Sequence, residues 1–364
     1  MTIPKFDPKE LEVVREFPPS DMMPNGLKFY NTPLTQKEHT KMVYSRKPAW
    51  QMLGSVECRT FTPRIIPDNV ARAFVFEAKP FNPMNGGGPD MFGIEWEYVP
   101  QVGGSMVRPG KPFASDANEL LEKVVWPNID EWDWEGSAKE NESFLAGDAF
   151  NLAWFQTGFY ERLIAFMDFE NAIMSLVDED QQDAVHEFFD KLTDLYIRIF
   201  DKMLTYFPQI DGFYIHDDWG SQKETFFSPD VVEEMIVPYM RRVTDFLHSK
   251  GRFCELHSCG QLLKQVPNMI KAGWDAWGGQ PMNDTHKIYE LYGDKILIGV
   301  MPEPFDPATT SEEEQRRMAR EYANKFCRPD KPSFFNFNGL KYLTPAFREE
   351  LYKQSRINYS QSAE

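Results

Sequence analysis

Apolar and polar positions fall into two regimes along this chain. Up to about residue 112 the apolar runs are short and broken by glycine and proline. The pattern predicts helices over Pro8–Glu16 and Gln36–Tyr44 and strands over Ala71–Ala78 (ARAFVFEA) and Met91–Val99 (MFGIEWEYV). Gly/Pro-rich loops are expected over Pro80–Asp90 and 102–112. From about Glu119 the helical period dominates, and Asp180–Phe207 reads as a long amphipathic helix or a helix pair.

Beyond that helix the pattern becomes regular. Strands are expected at Asp211–His216, at Arg252–His257, at Trp274–Gly278, at Lys295–Met301 and at Ser333–Phe337. Helices are expected between and after them: from Ser228 to about Lys250, then Gln261–Ala272, Thr285–Tyr292, Ser311–Phe326 and Pro345–Arg356. Ser228-Pro229-Asp230 supplies a cap, a proline at the first helical position and an acid at the positive end. Gly251, Gly273 and Gly293 supply the stops. Strands alternating with helices imply parallel pairing with right-handed crossovers. No GxGxxG opens a βαβ unit, so a dinucleotide-binding sheet is not indicated. The expected fold class is α/β, a (β/α)8 TIM-type barrel. Residues 1–70 form an N-terminal arm, loop-rich with some helix, and 71–364 the single catalytic domain.

Composition narrows the classes. A formal charge of −17 over 364 residues argues against nucleic acid and anionic membranes as partners. Four cysteines, at 58, 254, 259 and 327, are too few for a disulfide scaffold. The charged start MTIPKFDPKELEVVREF lacks a signal-type apolar core, and no stretch approaches a membrane span. A cytoplasmic protein is expected.

In a barrel, chemistry gathers at the C-terminal ends of the strands. The stretch RFCELHSCG ends one of them. On a strand Glu255, His257 and Cys259 share a face, with Cys254 on the other. An imidazole and a thiol two residues apart can ligate one metal ion, and a helix start after Cys259 would favour its thiolate. The competing reading is a buried His and Cys without a ligand. His216-Asp217-Asp218-Trp219-Gly220-Ser221-Gln222 follows another strand. Asp217, Asp218 and Gln222 are the candidates there for substrate positioning or proton transfer, against a solvated loop. Glu95 and Glu97 share a face, and Glu97 is a further candidate base should that face line the lumen. Cys327, at a helix end, is a candidate third thiolate or a structural cysteine.

The second half resembles the uroporphyrinogen decarboxylase superfamily, and within it the cobamide-dependent methyltransferases. The matching text is IDGFYIHDDWGSQ, FSPDVVEEMIVPYMRRVTDFLHSKG, the HSCG turn, AGWDAWGGQPMND and YGDKILIGV, in family order. FGIEWEYV and WPNIDEWDW extend it into the first half. The arginine-rich RQAGRY motif of the decarboxylase proper has no counterpart here. The resemblance implies zinc held by His257 and Cys259. Asn338, in Asn338-Gly339-Leu340, stands where the family has its distal cysteine, which makes thiol activation less apt than demethylation of an O- or N-methyl compound. The implied activity moves a methyl group from a small methylated substrate, such as a methoxylated aromatic, to the cobalt of a partner corrinoid protein, the cobalamin-type O-demethylation chemistry. A homodimer is compatible with it. The alternatives are a decarboxylase of a small acid and a non-catalytic barrel binding a corrinoid or tetrapyrrole.

Overall fold

The computed structural model describes residues 4–21, 23–101 and 103–360. They fall into two compact units. One comprises the chain up to Arg59, Asp148–Phe150 and the chain from Asp275; the other comprises Thr60–Gly147 and Asn151–Trp274.

Seven strands make up the parallel α/β series: β1 (Cys58–Phe61), β2 (Phe150–Phe155), β3 (Ile210–His216), β4 (Phe253–His257), β5 (Ala276–Trp277), β6 (Leu297–Val300) and β7 (Phe334–Phe335). In the second unit β2, β3 and β4 run parallel, with Phe155 opposite Ile215, Ile215 opposite Leu256 and His216 opposite His257. In the first unit β5, β6 and β7 run parallel, with Ala276 opposite Leu297 and Gly299 opposite Phe334. The class is α/β and consistent with a TIM-like barrel. The eighth strand of a closed barrel is not found among the described residues.

The core of the second unit is aromatic. Helix Glu179–Tyr206 buries Phe188, Phe189, Leu192, Tyr196, Ile199 and Phe200 along one stripe. Phe200 meets Phe155 of β2 and Phe213 of β3 with ring centroids 4.9 and 5.0 Å apart. Each such fully buried side chain contributes roughly 1.5–3 kcal/mol of transfer free energy. Helix Phe159–Ser175 is fixed differently. Its buried Arg162 pairs with buried Asp68 and with Asp90, the latter at 2.9 Å.

Helices Gln36–Tyr44 and Thr285–Tyr292 lie where the sequence puts them, and the long helix is continuous. Other segments differ. Ala71–Ala78 is not a strand: Pro67 starts a short helix ending at Ala71, the backbone turns at Ala73 with φ +59°, and only Phe76 makes a bridge, to Thr62. Pro8–Glu16 holds one 3-10 turn, Pro8–Leu11, before a strand at Val13–Phe17. The helix opened by Ser228 breaks at Ile236, because Pro238 cannot donate into the preceding turn. After Cys259 the chain makes a 3-10 turn, Leu263–Gln265, before helix Val266–Lys271. Glu95–Val99 pairs antiparallel with Gly87–Pro89 and Gly104–Val107, so both glycine-rich stretches hold strands of a separate meander. β2 (FNLAWF), apolar apart from Asn151, was not expected.

A two-histidine cluster at the ends of adjacent strands

Register brings the chemistry together. His216 and His257 are partners at the C-terminal ends of β3 and β4, and their rings meet edge-on with centroids 4.8 Å apart. The chain leaving β3 is tied down at once: Asp217 N–H donates to the His257 carbonyl at 2.9 Å, and Gly158 N–H donates to the His216 carbonyl at 2.7 Å. This turn aims Asp218 back at the imidazoles. Its Oδ1 lies 3.1 Å from His216 Nε2 and 4.0 Å from His257 Nε2, and it accepts the Cys259 N–H at 2.7 Å. Cys259 Sγ lies 3.4 Å from His257 Nε2. Gly260 makes the turn feasible. Its φ is +103°, and a Cβ there would sit 2.3 Å from the Gly220 carbonyl carbon.

Aromatic side chains wall the cluster. Trp154 of β2 lies 5.5 Å from the His257 ring and 4.7 Å from Tyr214 of β3. Tyr214 Oη stands 3.1 Å from His257 Nδ1. On the other side Arg72 Nη2 lies 3.3 Å from His216 Nδ1, and its Nη1 pairs with Glu161 at 3.1 Å. A guanidinium only donates, so His216 Nδ1 accepts and the neutral ring carries its hydrogen on Nε2.

The electrostatics divide the groups sharply. Burial would raise Asp218, yet His216, His257 and the Cys259 N–H hold its carboxyl well below the usual carboxylate range. Burial, then the neighbouring His216, pushes His257 down to about 3, so its imidazole is neutral. Burial, then the Asp218 carboxylate, pushes the Cys259 thiol up. The thiolate expected from a helix start is thus not favoured, because no helix begins at Cys259.

These donors suit a borderline metal such as zinc. The ligand atoms of His216, Asp218 and His257 lie within 4.8 Å of one another, with the Cys259 sulfur adjacent. Two buried nitrogens of the cluster, His216 Nε2 and Trp154 Nε1, have no aligned hydrogen-bond partner among the described residues. With Arg72 on His216 Nδ1, the lone pairs left for a metal are those of His257 Nε2 and Asp218, with the Cys259 sulfur adjacent and His216 Nε2–H beside them.

The other sequence candidates are committed to partners of their own or exposed. Asp217 is fully buried, and both its oxygens are engaged, Oδ1 by Glu161 N–H and Oδ2 by the Trp219 indole, each at 2.9 Å. Gln222 is exposed on the loop after Trp219. Glu97 faces solvent on the meander and pairs with exposed Arg108 at 2.7 Å, so its face is not a lumen. Cys327, in the other unit, is buried with Sγ 3.1 Å from Gln51 Oε1. Asn338 belongs to that unit too, its amide donating to Asn336 Oδ1 at 3.0 Å. Sequence reasoning missed Tyr214, Trp154, Arg72 and Glu161. Tyr214 was readable as the residue two before His216 on one strand face. Arg72 gave no signal, since it sits in the run misread as a strand.

Parallel strands carrying a polar cluster at their C-terminal ends define an α/β protein of the type that does its chemistry there. Residues 162–337, just under half of the chain, match the family model of uroporphyrinogen decarboxylase (URO-D), in line with the resemblance carried by the ordered motifs. Among solved structures it is similar to a methyltransferase from Methanosarcina mazei, with 15% identity, a TM-score of 0.56, and 89% of this chain and 98% of that one covered. At this identity the likeness is one of fold. Two further structures align at low TM-scores and bear no argument. They are 2,3-dimethylmalate lyase, a PEP mutase/isocitrate lyase superfamily member (13% identity, TM-score 0.26, 60% and 64% covered), and an α-galactosidase from Saccharomyces cerevisiae (10%, 0.30, 65% and 52%). No curated protein matches the chain.

Proposed function

We propose that this protein is a methyltransferase on a TIM-like barrel, moving a methyl group from a small O- or N-methylated compound to the cobalt of a corrinoid protein. The observation that supports this best is the convergence of His216, Asp218, His257 and Cys259 beside an aromatic wall. Cobalt(I) is itself a strong nucleophile, so the enzyme must chiefly ease departure of the methyl-bearing oxygen or nitrogen. Zinc held by His257, Asp218 and Cys259 would supply Lewis-acid polarisation of that atom.

The chain's own groups do the rest. His216 Nε2–H points to the same place and offers a hydrogen bond to the departing atom as charge develops on it. Asp218, kept ionised, fixes the Cys259 N–H and faces both imidazoles. Trp154 and Tyr214 stack against a flat donor and exclude water. Arg72 and Glu161 hold the His216 tautomer, and Asp217 pins the loop to Glu161 and Trp219; these are positioning residues.

The test is anaerobic. The purified protein is analysed for zinc, cobalt and iron, then incubated with cob(I)alamin and a panel of methyl ethers and methylamines. Methylcobalamin should form with at least one donor, at a rate that tracks metal content. Corrinoid binding without transfer across the panel would favour a carrier instead. Release of CO2 from a small acid with no corrinoid present would favour the decarboxylase.

A further inference from the structure

A second polar pocket belongs to the first unit and shares no residue with the cluster. Strands Val13–Phe17 and Leu27–Tyr30 and helix Pro345–Ser360 contribute to a cavity of about 270 Å³ lined by Arg15, Phe29, Tyr30, Thr35, Trp50 and Arg348. Arg348 is only 4% exposed, yet its Nε and Nη1 have no hydrogen-bond acceptor among the described residues. Its Nη2 reaches Glu57 Oε1 only at 3.8 Å, beyond hydrogen-bond length. Buried guanidinium groups normally satisfy their donors, because leaving them bare costs several kcal/mol. Its guanidinium lies 5.1 Å from the Tyr30 ring centroid, which places the charge against an aromatic wall.

The surroundings define the missing acceptor. Glu57 is buried, and burial pushes its carboxyl up against the pull of Arg348, which weakens it as a counter-charge. Arg15, exposed at the rim, adds a second cation over Phe29 at 4.1 Å and spends one donor on Gln36 at 3.3 Å. The walls are Phe29, Tyr30 and Trp50. The volume admits one ring with a small substituent.

We propose that this cavity binds a small aromatic carboxylate. The carboxylate accepts from Arg348 while the ring stacks among Phe29, Tyr30 and Trp50. One buried guanidinium, part-balanced by Glu57, matches a single negative charge better than a phosphate dianion.

The experiment is calorimetric titration of the whole protein with benzoate, its neutral isostere benzamide and inorganic phosphate. Benzoate should bind saturably, with benzamide and phosphate about tenfold weaker or more. Arg348→Gln should lower benzoate affinity about tenfold or more, and Arg15→Gln about two- to fivefold with the fold intact by circular dichroism. His257→Ala should leave benzoate affinity unchanged, which separates this site from the cluster. The proposal is overturned by absence of saturable benzoate binding, by benzamide or phosphate binding equally well, by loss of binding in His257→Ala, or by a folded Arg15→Gln of unchanged affinity. The Arg15 variant keeps the test decisive should Arg348→Gln fail to fold.

Discussion

Asp217 and Asp218 are neighbours in sequence with opposite chemistry. Nothing in the run His-Asp-Asp-Trp-Gly separates them; the turn that ties Asp217 N–H to the His257 carbonyl does. Asp218 is held ionised by two imidazoles, whereas burial pushes Asp217 up to about 7. A raised carboxyl gives its full contribution to stability below its ordinary value of 3.8 and loses it as pH rises through 7. The stability advantage of wild type over Asp217→Asn, measured by urea unfolding of metal-free protein, should therefore shrink by about 2–3 kcal/mol between pH 5 and 7.5. A constant difference would mean that Asp217 does not titrate there. Arg72 sets a second single-residue effect. In Arg72→Met the His216 ring should lose its fixed tautomer, visible in its ring 15N shifts, and methyl transfer should fall about ten- to a hundredfold. A rate loss with unchanged shifts would make Arg72 merely structural.

Elements were legible in proportion to how local their signals are. Helix Ser311–Phe326 was expected from its period, and Glu312–Phe326 forms with Ser311 as its cap. The β3–β4 ends, and with them His257, Cys259 and Asp218 as neighbours, could be anticipated from period and punctuation. Ala71–Ala78 could not, since apolar content masks the proline-started helix and the turn at Ala73. Alternation put Glu95 and Glu97 on one face of their strand but did not say which way that face turns, and it turns to solvent. Two elements around the cluster are predicted to be intolerant. Arg162→Met leaves Asp68 and Asp90 buried without their cation and should cost about 3–5 kcal/mol in denaturant unfolding. Gly260→Ala puts a Cβ into the Gly220 backbone at positive φ and should cost more than about 1 kcal/mol, read as a lower midpoint of thermal unfolding. Wild-type stability in either variant would mean that the strand-end turn or the helix clamp is looser than it stands.

At the scale of the molecule the fold class and the family likeness were readable because alternating strands and helices and the ordered motifs span long stretches. The part of His216 was not, because it depends on strand register. His216 enters through pairing with His257, and Asp218 through a turn. The net charge of −17 disfavours a polyanionic reacting partner, and the cluster's own cation, Arg72, is already committed to Glu161 and His216. The most direct test of the central claim is the initial rate of methyl–cobalt formation, followed optically under anaerobic conditions, in wild type and in His257→Ala, Asp218→Asn and Glu97→Gln. The cluster account predicts a fall of about a hundredfold or more in the first two variants. It predicts a wild-type rate in Glu97→Gln. It is contradicted if His257→Ala and Asp218→Asn turn over like wild type, or if Glu97→Gln is the variant that fails.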